Sequence, residues 1–84
     1  MEVELTPDAV DDYNKLPLTV RARVDGVFER LRRWPQVSGV KWLSGPWKGF
    51  ARIRTGDWRV IFHLLNNRVI EVVRIADRRD VYDD

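Results

Sequence analysis

Polar and apolar residues alternate from Glu2 to Leu5, which predicts a short strand, and Thr6-Pro7-Asp8 cuts it off. Threonine is a good N-cap and proline suits the first helical position, so a short helix follows. Val10, Tyr13 and Leu16 fall on one of its faces, and Pro17 ends it. From Leu18 to Trp34 the apolar residues Val20, Val24, Val27, Phe28, Leu31 and Trp34 recur at steps of three and four, with arginines between them. That spacing predicts an amphipathic helix starting near Thr19 and stopped by Trp34-Pro35. Gly26 in its interior costs about 1 kcal/mol relative to alanine, which predicts close approach to the preceding helix. The tight Leu16-Pro17-Leu18 link makes the pair an antiparallel helical hairpin.

Gln36 to Lys48, with Gly39, Gly45 and Pro46, reads as a loop that packs over something, since it carries Trp42 and Trp47. After Gly49 the period switches to two. Phe50 to Thr55, Trp58 to Leu65 and Arg68 to Ile75 are rich in β-branched and aromatic residues and predict three strands. Gly56-Asp57 and Asn66-Asn67 are tight hairpin turns, so these strands are antiparallel neighbours. The expected fold is α+β in the order β-α-α-β-β-β: a small twisted antiparallel sheet with a two-helix hairpin packed on one face. Residues 1–84 are read as one domain. Alternation places Ala51 and Ile53 toward the helices, and Arg52, Arg54 and Arg59 on the face left uncovered.

Charge sharpens the picture. The first 29 residues hold 3 basic and 7 acidic side chains, whereas residues 30–79 hold 12 basic and 3 acidic ones, a net +9. Arginines make up 12 of the 15 basic residues, which favours planar, bidentate recognition of phosphate. A polyanion, foremost a nucleic acid, is the expected partner. The chain has no cysteine, so it uses neither disulfides nor a thiolate metal site, as expected of a protein in a reducing compartment. The acidic start, Met1-Glu2-Val3-Glu4-Leu5, precedes no long apolar run, and a cytoplasmic protein with no membrane contact is expected.

Familiar catalytic patterns fail on chemistry. Gly45-Pro46-Trp47-Lys48-Gly49 lacks the spacing of a phosphate loop. The single His63 has no second histidine or cysteine beside it, so no metal site and no cofactor is expected. As a general acid or base His63 is poorly placed, being four residues beyond Arg59, roughly 13 Å at about 3.3 Å per residue. What remains is Arg52, Arg54, Arg59, Arg74, Arg78, Arg79 and Tyr82. RNA needs no metal for cleavage if the 2′-hydroxyl is held in line, the charged transition state is neutralised and the leaving 5′-oxygen gains a proton. Arginines meet the second need. A tyrosine, with an ordinary pKa near 10, meets the third only if neighbouring guanidinium groups lower it.

Three ordered motifs resemble the RelE/ParE toxin superfamily: Leu43-Ser44-Gly45; Phe50-Ala51-Arg52-Ile53-Arg54-Thr55-Gly56-Asp57-Trp58-Arg59-Val60-Ile61-Phe62; and Val73-Arg74-Ile75-Ala76-Asp77-Arg78-Arg79-Asp80-Val81-Tyr82. The strand-helix-helix opening agrees in order and length. The resemblance implies a type II toxin that cuts messenger RNA on the ribosome, leaving a 2′,3′-cyclic phosphate. It assigns catalysis to Arg52, Arg54, Arg59, Arg78 and Tyr82, while Lys41, Lys48, Arg74 and Arg79 are expected to bind nucleic acid. It also implies a cognate antitoxin as partner, through which alone operator DNA is bound. The alternative within the same superfamily is a ParE-like inhibitor of DNA gyrase without nuclease activity. The best-studied member has lysines where this chain has Arg52 and Arg54, and an arginine with pKa above about 12 is a poor proton acceptor.

Overall fold

Thr6 separates the first strand from the first helix as its chemistry requires. Its hydroxyl accepts the Ala9 amide hydrogen at 3.2 Å while Pro7 opens the helix. In the computed structural model, which describes residues 1–80, the chain order is β1 (Glu2–Leu5), α1 (Pro7–Asn14), α2 (Leu18–Leu31), β2 (Val40–Trp42), β3 (Ala51–Thr55), β4 (Trp58–Leu64) and β5 (Val69–Asp77). Single 3-10 turns lie at Gly45–Trp47 and Arg78–Asp80.

The five strands form one sheet in the order β1-β5-β4-β3-β2. The helices carry the chain from one edge to the other, and an antiparallel meander brings it back to pair β5 with β1 in parallel. The α+β class and the two-helix layer are as expected, and two details differ. The sheet is mixed, because β1 and β5 run the same way. Part of the segment read as a loop is β2, pairing Val40, Lys41 and Trp42 with Ile53, Arg52 and Ala51. Three residues between two glycine-containing stretches are too few for a period-two signal to stand out.

The core lies between helices and sheet. Val24, Val27 and Leu31 of α2 pack with Ala51, Ile53, Val60, Phe62, Ile70, Val72 and Ile75 of the sheet, as their alternation and helical spacing predict. Trp34 closes one end, edge-on to Phe62 at 5.9 Å and to Trp42 at 6.2 Å. Both expected hairpin turns are present. Gly56 adopts φ +61, which only glycine takes without strain, and the Asn66 carboxamide oxygen accepts the Arg68 and Val69 amide hydrogens at 2.7 and 3.0 Å. Gly26 corrects the expectation of a close helix approach: a Cβ there would meet nothing within 4 Å.

One irregularity matters for the site. Ile61 pairs with Arg74 but the next residue, Phe62, pairs with Val72, so Val73 bulges out of β5. The end of β1 and the helix α1 bind the bulge. The Thr6 amide donates to the Val72 carbonyl at 3.0 Å, the Thr6 hydroxyl donates to the Val73 carbonyl at 3.2 Å, and the Asp12 carboxylate accepts the Ile75 amide hydrogen at 2.9 Å. Backbone groups that the ladder drops are thereby paired.

Candidate functional site

Register places the cations of the helix-free face side by side. Lys41 of β2 stands directly opposite Arg52 of β3, and Arg54 of β3 stands directly opposite Arg59 of β4. Opposed side chains on neighbouring strands are about 5 Å apart at Cβ, and like charges so placed destabilise a sheet. Four cationic side chains thus share one part of the face.

That face is not open throughout, which corrects the expectation that the face bearing Arg52, Arg54 and Arg59 is left uncovered. Arg52 is 7% exposed and Arg59 3%, while Arg54 is exposed. Leu43, Ile61 and Ala76 are buried too, and none of the five belongs to the helix-side core. By register Arg52 lies beside Ile61, and Arg59 beside Ala76. The chain therefore has a second, smaller buried layer that includes Arg52 and Arg59 together with Leu43, Ile61 and Ala76. Alternation tells which face a residue takes but not whether that face is covered, so this was beyond the pattern's reach.

Arg74, Arg78 and Arg79 are engaged with carboxylates and backbone of their own. Arg74 is exposed, but its Nε donates to the Asp12 carboxylate at 2.8 Å, and that bond, with the Asp12 charge, holds its pKa above the usual arginine value. Arg79 donates from both its amide and its Nε to Asp77 Oδ1 at 3.0 Å; the amide bond, then the side-chain bond, keeps the Asp77 carboxyl below its ordinary pKa. Arg78 begins the turn that leaves β5; its amide donates to the Asp57 carbonyl at 2.7 Å and its guanidinium lies 3.8 Å from the Asp57 carboxylate. Lys41 and Lys48 are exposed, the first on β2 rather than on a loop. Tyr82 lies outside the described residues.

A feature not expected from the sequence lies one strand step away. His63 Nε2 donates to the Glu71 carboxylate at 2.8 Å, and its ring meets Phe50 at a centroid distance of 4.9 Å. Trp47 stands edge-on to Phe50 at 5.4 Å. The alternation puts Phe50 and Arg52 on one side, but only the registers of β3 with β4 and of β4 with β5 bring His63 beside Phe50 and Glu71. Across the described residues no helix is long and apolar enough to cross a membrane.

The two-helix layer on a five-stranded sheet recurs in solved toxins. In the toxin-antitoxin complex RelBE2 from Mycobacterium tuberculosis the similar chain is 25% identical with TM-score 0.79, the match covering 92% of this chain and 96% of that one. The isolated RelE toxin of E. coli is 16% identical with TM-score 0.74, covering 90% and 82%. The YoeB/ParE toxin from Agrobacterium tumefaciens is 19% identical with TM-score 0.76, covering 92% and 98%. No curated protein matches the sequence. The family model described as the ParE toxin of type II toxin-antitoxin system, parDE, matches residues 3–82, and the chain belongs to that family, within the RelE/ParE toxin superfamily.

Proposed function

We propose that this toxin is a metal-independent endoribonuclease that cuts messenger RNA on the ribosome and so arrests translation. The observation that carries the reading is the pairing of Lys41 with Arg52 and of Arg54 with Arg59 across three adjacent strands. Four cationic side chains on adjacent strands of one face suit an anionic ligand, and most of all one whose charge grows during reaction. Attack of a 2′-hydroxyl on the adjacent phosphorus is such a reaction. The 2′-oxygen bonds to phosphorus and gives up its proton to water, the bond to the 5′-oxygen breaks, a 2′,3′-cyclic phosphate forms, and the leaving oxygen takes up a proton in return.

Roles follow from exposure and chemistry. Arg54, exposed, meets the phosphate directly. Arg52 and Arg59, buried on the same face beside it, add preorganised positive charge at the site. None of the three is the base, since a guanidinium does not accept protons at neutral pH. Arg78 is assigned to the leaving-oxygen side and Tyr82 to the proton transfer, while Lys41 and Lys48 hold the message backbone. No metal or cofactor enters this scheme. A cognate antitoxin with an acidic segment is the proposed partner of the basic region, and operator DNA is contacted through it. Antitoxin-toxin complexes from Methanococcus jannaschii and E. coli provide the precedent for the protein partner alone.

A second reading has its own support. Two of the five assigned residues are buried, and the matching family model is the ParE one, so inhibition of DNA gyrase by protein binding is the alternative. The test uses ribosomes programmed with a defined message. Wild type should give cleaved message ending in a cyclic phosphate, and Arg54→Ala and Tyr82→Phe should abolish it. Cleavage unchanged in both variants overturns the nuclease reading; inhibited supercoiling with intact message establishes the second.

A further inference from the structure

Beside the like-charge pairs lies a group of rings that neither the core nor the proposed reaction uses. Phe50 precedes Arg52 by two residues on the same face, and His63 follows Ile61, the register partner of Arg52, by two. Two residues along a strand are about 6.6 Å. Phe50, Trp47 and His63 are each half-buried and lie outside the helix-side core. The Glu71 carboxylate, an acceptor only, fixes the imidazole as the Nε2–H donor and so sets the plane of the ring.

We infer that Phe50 and His63, braced by Trp47 and Glu71, form a stacking platform for one unpaired RNA base of the strand whose phosphate is held at Arg54, four strand positions or about 13 Å away. The inference rests on the proposed nuclease reading and adds the part of the substrate that the cations do not recognise. Phosphate contacts position a strand, and unstacked bases of single-stranded RNA are held on aromatic and histidine rings. The 4.9 Å approach of the Phe50 and His63 centroids leaves no room for a base between them, so the base lies on the exposed side of the pair. Stacking of this kind tolerates any base, because every base has a π-face, and Glu71 adds an acceptor for exocyclic amino groups.

The test compares two labelled six-nucleotide strands by fluorescence anisotropy at fixed salt: 2′-O-methyl uridylate, which cannot be cleaved, and an abasic strand with the same phosphates. Wild type should bind the uridylate strand roughly 5- to 150-fold more tightly, the range of one base–aromatic stack. Phe50→Leu should remove most of that preference and leave affinity for the abasic strand unchanged. His63→Gln, which keeps a donor for Glu71 but removes the ring, is the second variant should the first fail to fold. Arg54→Ala should weaken both strands. Equal wild-type affinity for the two strands, with Arg54→Ala still weakening both, overturns the platform alone. Failure of wild type to bind either strand, or indifference of both to Arg54→Ala, overturns the platform together with the nuclease reading beneath it.

Discussion

The Arg74 guanidinium donates through Nε to the Asp12 carboxylate at 2.8 Å, joining β5 to α1 across 62 positions of sequence. The same carboxylate accepts the part-buried Ile75 amide hydrogen at 2.9 Å. These two bonds are not equal. An ion pair with Arg74 47% exposed is worth about 0.2–1 kcal/mol, whereas leaving a buried amide unsatisfied costs about 1–3 kcal/mol. Asp12→Ala should therefore destabilise the protein clearly more than Arg74→Ala in urea unfolding. Equal losses, or a larger loss for Arg74→Ala, contradict this account.

A second tie holds the helical hairpin. The Tyr13 hydroxyl donates to Asp25 Oδ1 at 2.6 Å, and this bond, more than desolvation, raises the Tyr13 pKa above the usual 10.0. A raised folded-state pKa means that the stabilisation is complete below about pH 10 and disappears as pH rises through the folded value. Tyr13→Phe keeps the ring contact with Phe28, at 6.1 Å, and should cost about 0.5 kcal/mol near neutrality, with the bond discounted for its exposure. The difference between wild type and variant should close in strongly alkaline buffer. A difference constant from pH 7 to 11 counts against the bond.

Gly26 offers a stabilising change. It lies in the helix interior, and an added methyl meets nothing within 4 Å. Gly26→Ala should raise stability by about 0.5–1 kcal/mol, seen as a higher melting temperature. Gly56→Ala should do the opposite, because its φ of +61 suits glycine and the new Cβ would lie 3.2 Å from an Arg23 nitrogen.

Salt dependence checks the part given to the exposed lysines. Each phosphate contact to a single strand adds about 0.7 to the slope of log affinity against log salt. Replacing both Lys41 and Lys48 by glutamine should lower that slope by about 1.4 while leaving the cleavage products the same. An unchanged slope removes the two lysines from the interface.

Much of this was written in the pattern of residues. The helical spacing of Val24, Val27 and Leu31 and the alternation of Ala51 and Ile53 located the core, and the motifs from Phe50 to Phe62 and from Val73 to Tyr82 located the family. What escaped are relationships set by tertiary neighbours. The parallel partnership of β1 with β5 depends on where the helices deliver the chain. The burial of Arg52 and Arg59 depends on what lies over a face, and the engagement of Arg74 depends on an acidic residue on another element. The Glu71–His63–Phe50 contact depends on the register of β5 against β4.

The bulge at Val73 reverses odd and even. Before it, the β5 residues facing the core carry even numbers, Ile70 and Val72; after it the core residue is odd, Ile75. Two relatives aligned without a gap across this point would exchange inside for outside if only one of them had the extra residue. Arg74 would then be compared with core positions, and Ile75 with the face that bears Arg59. Residues of this strand can be equated with those of another toxin only after the extra residue has been located in both chains, and the bonds from Thr6 and Asp12 mark where to look for it.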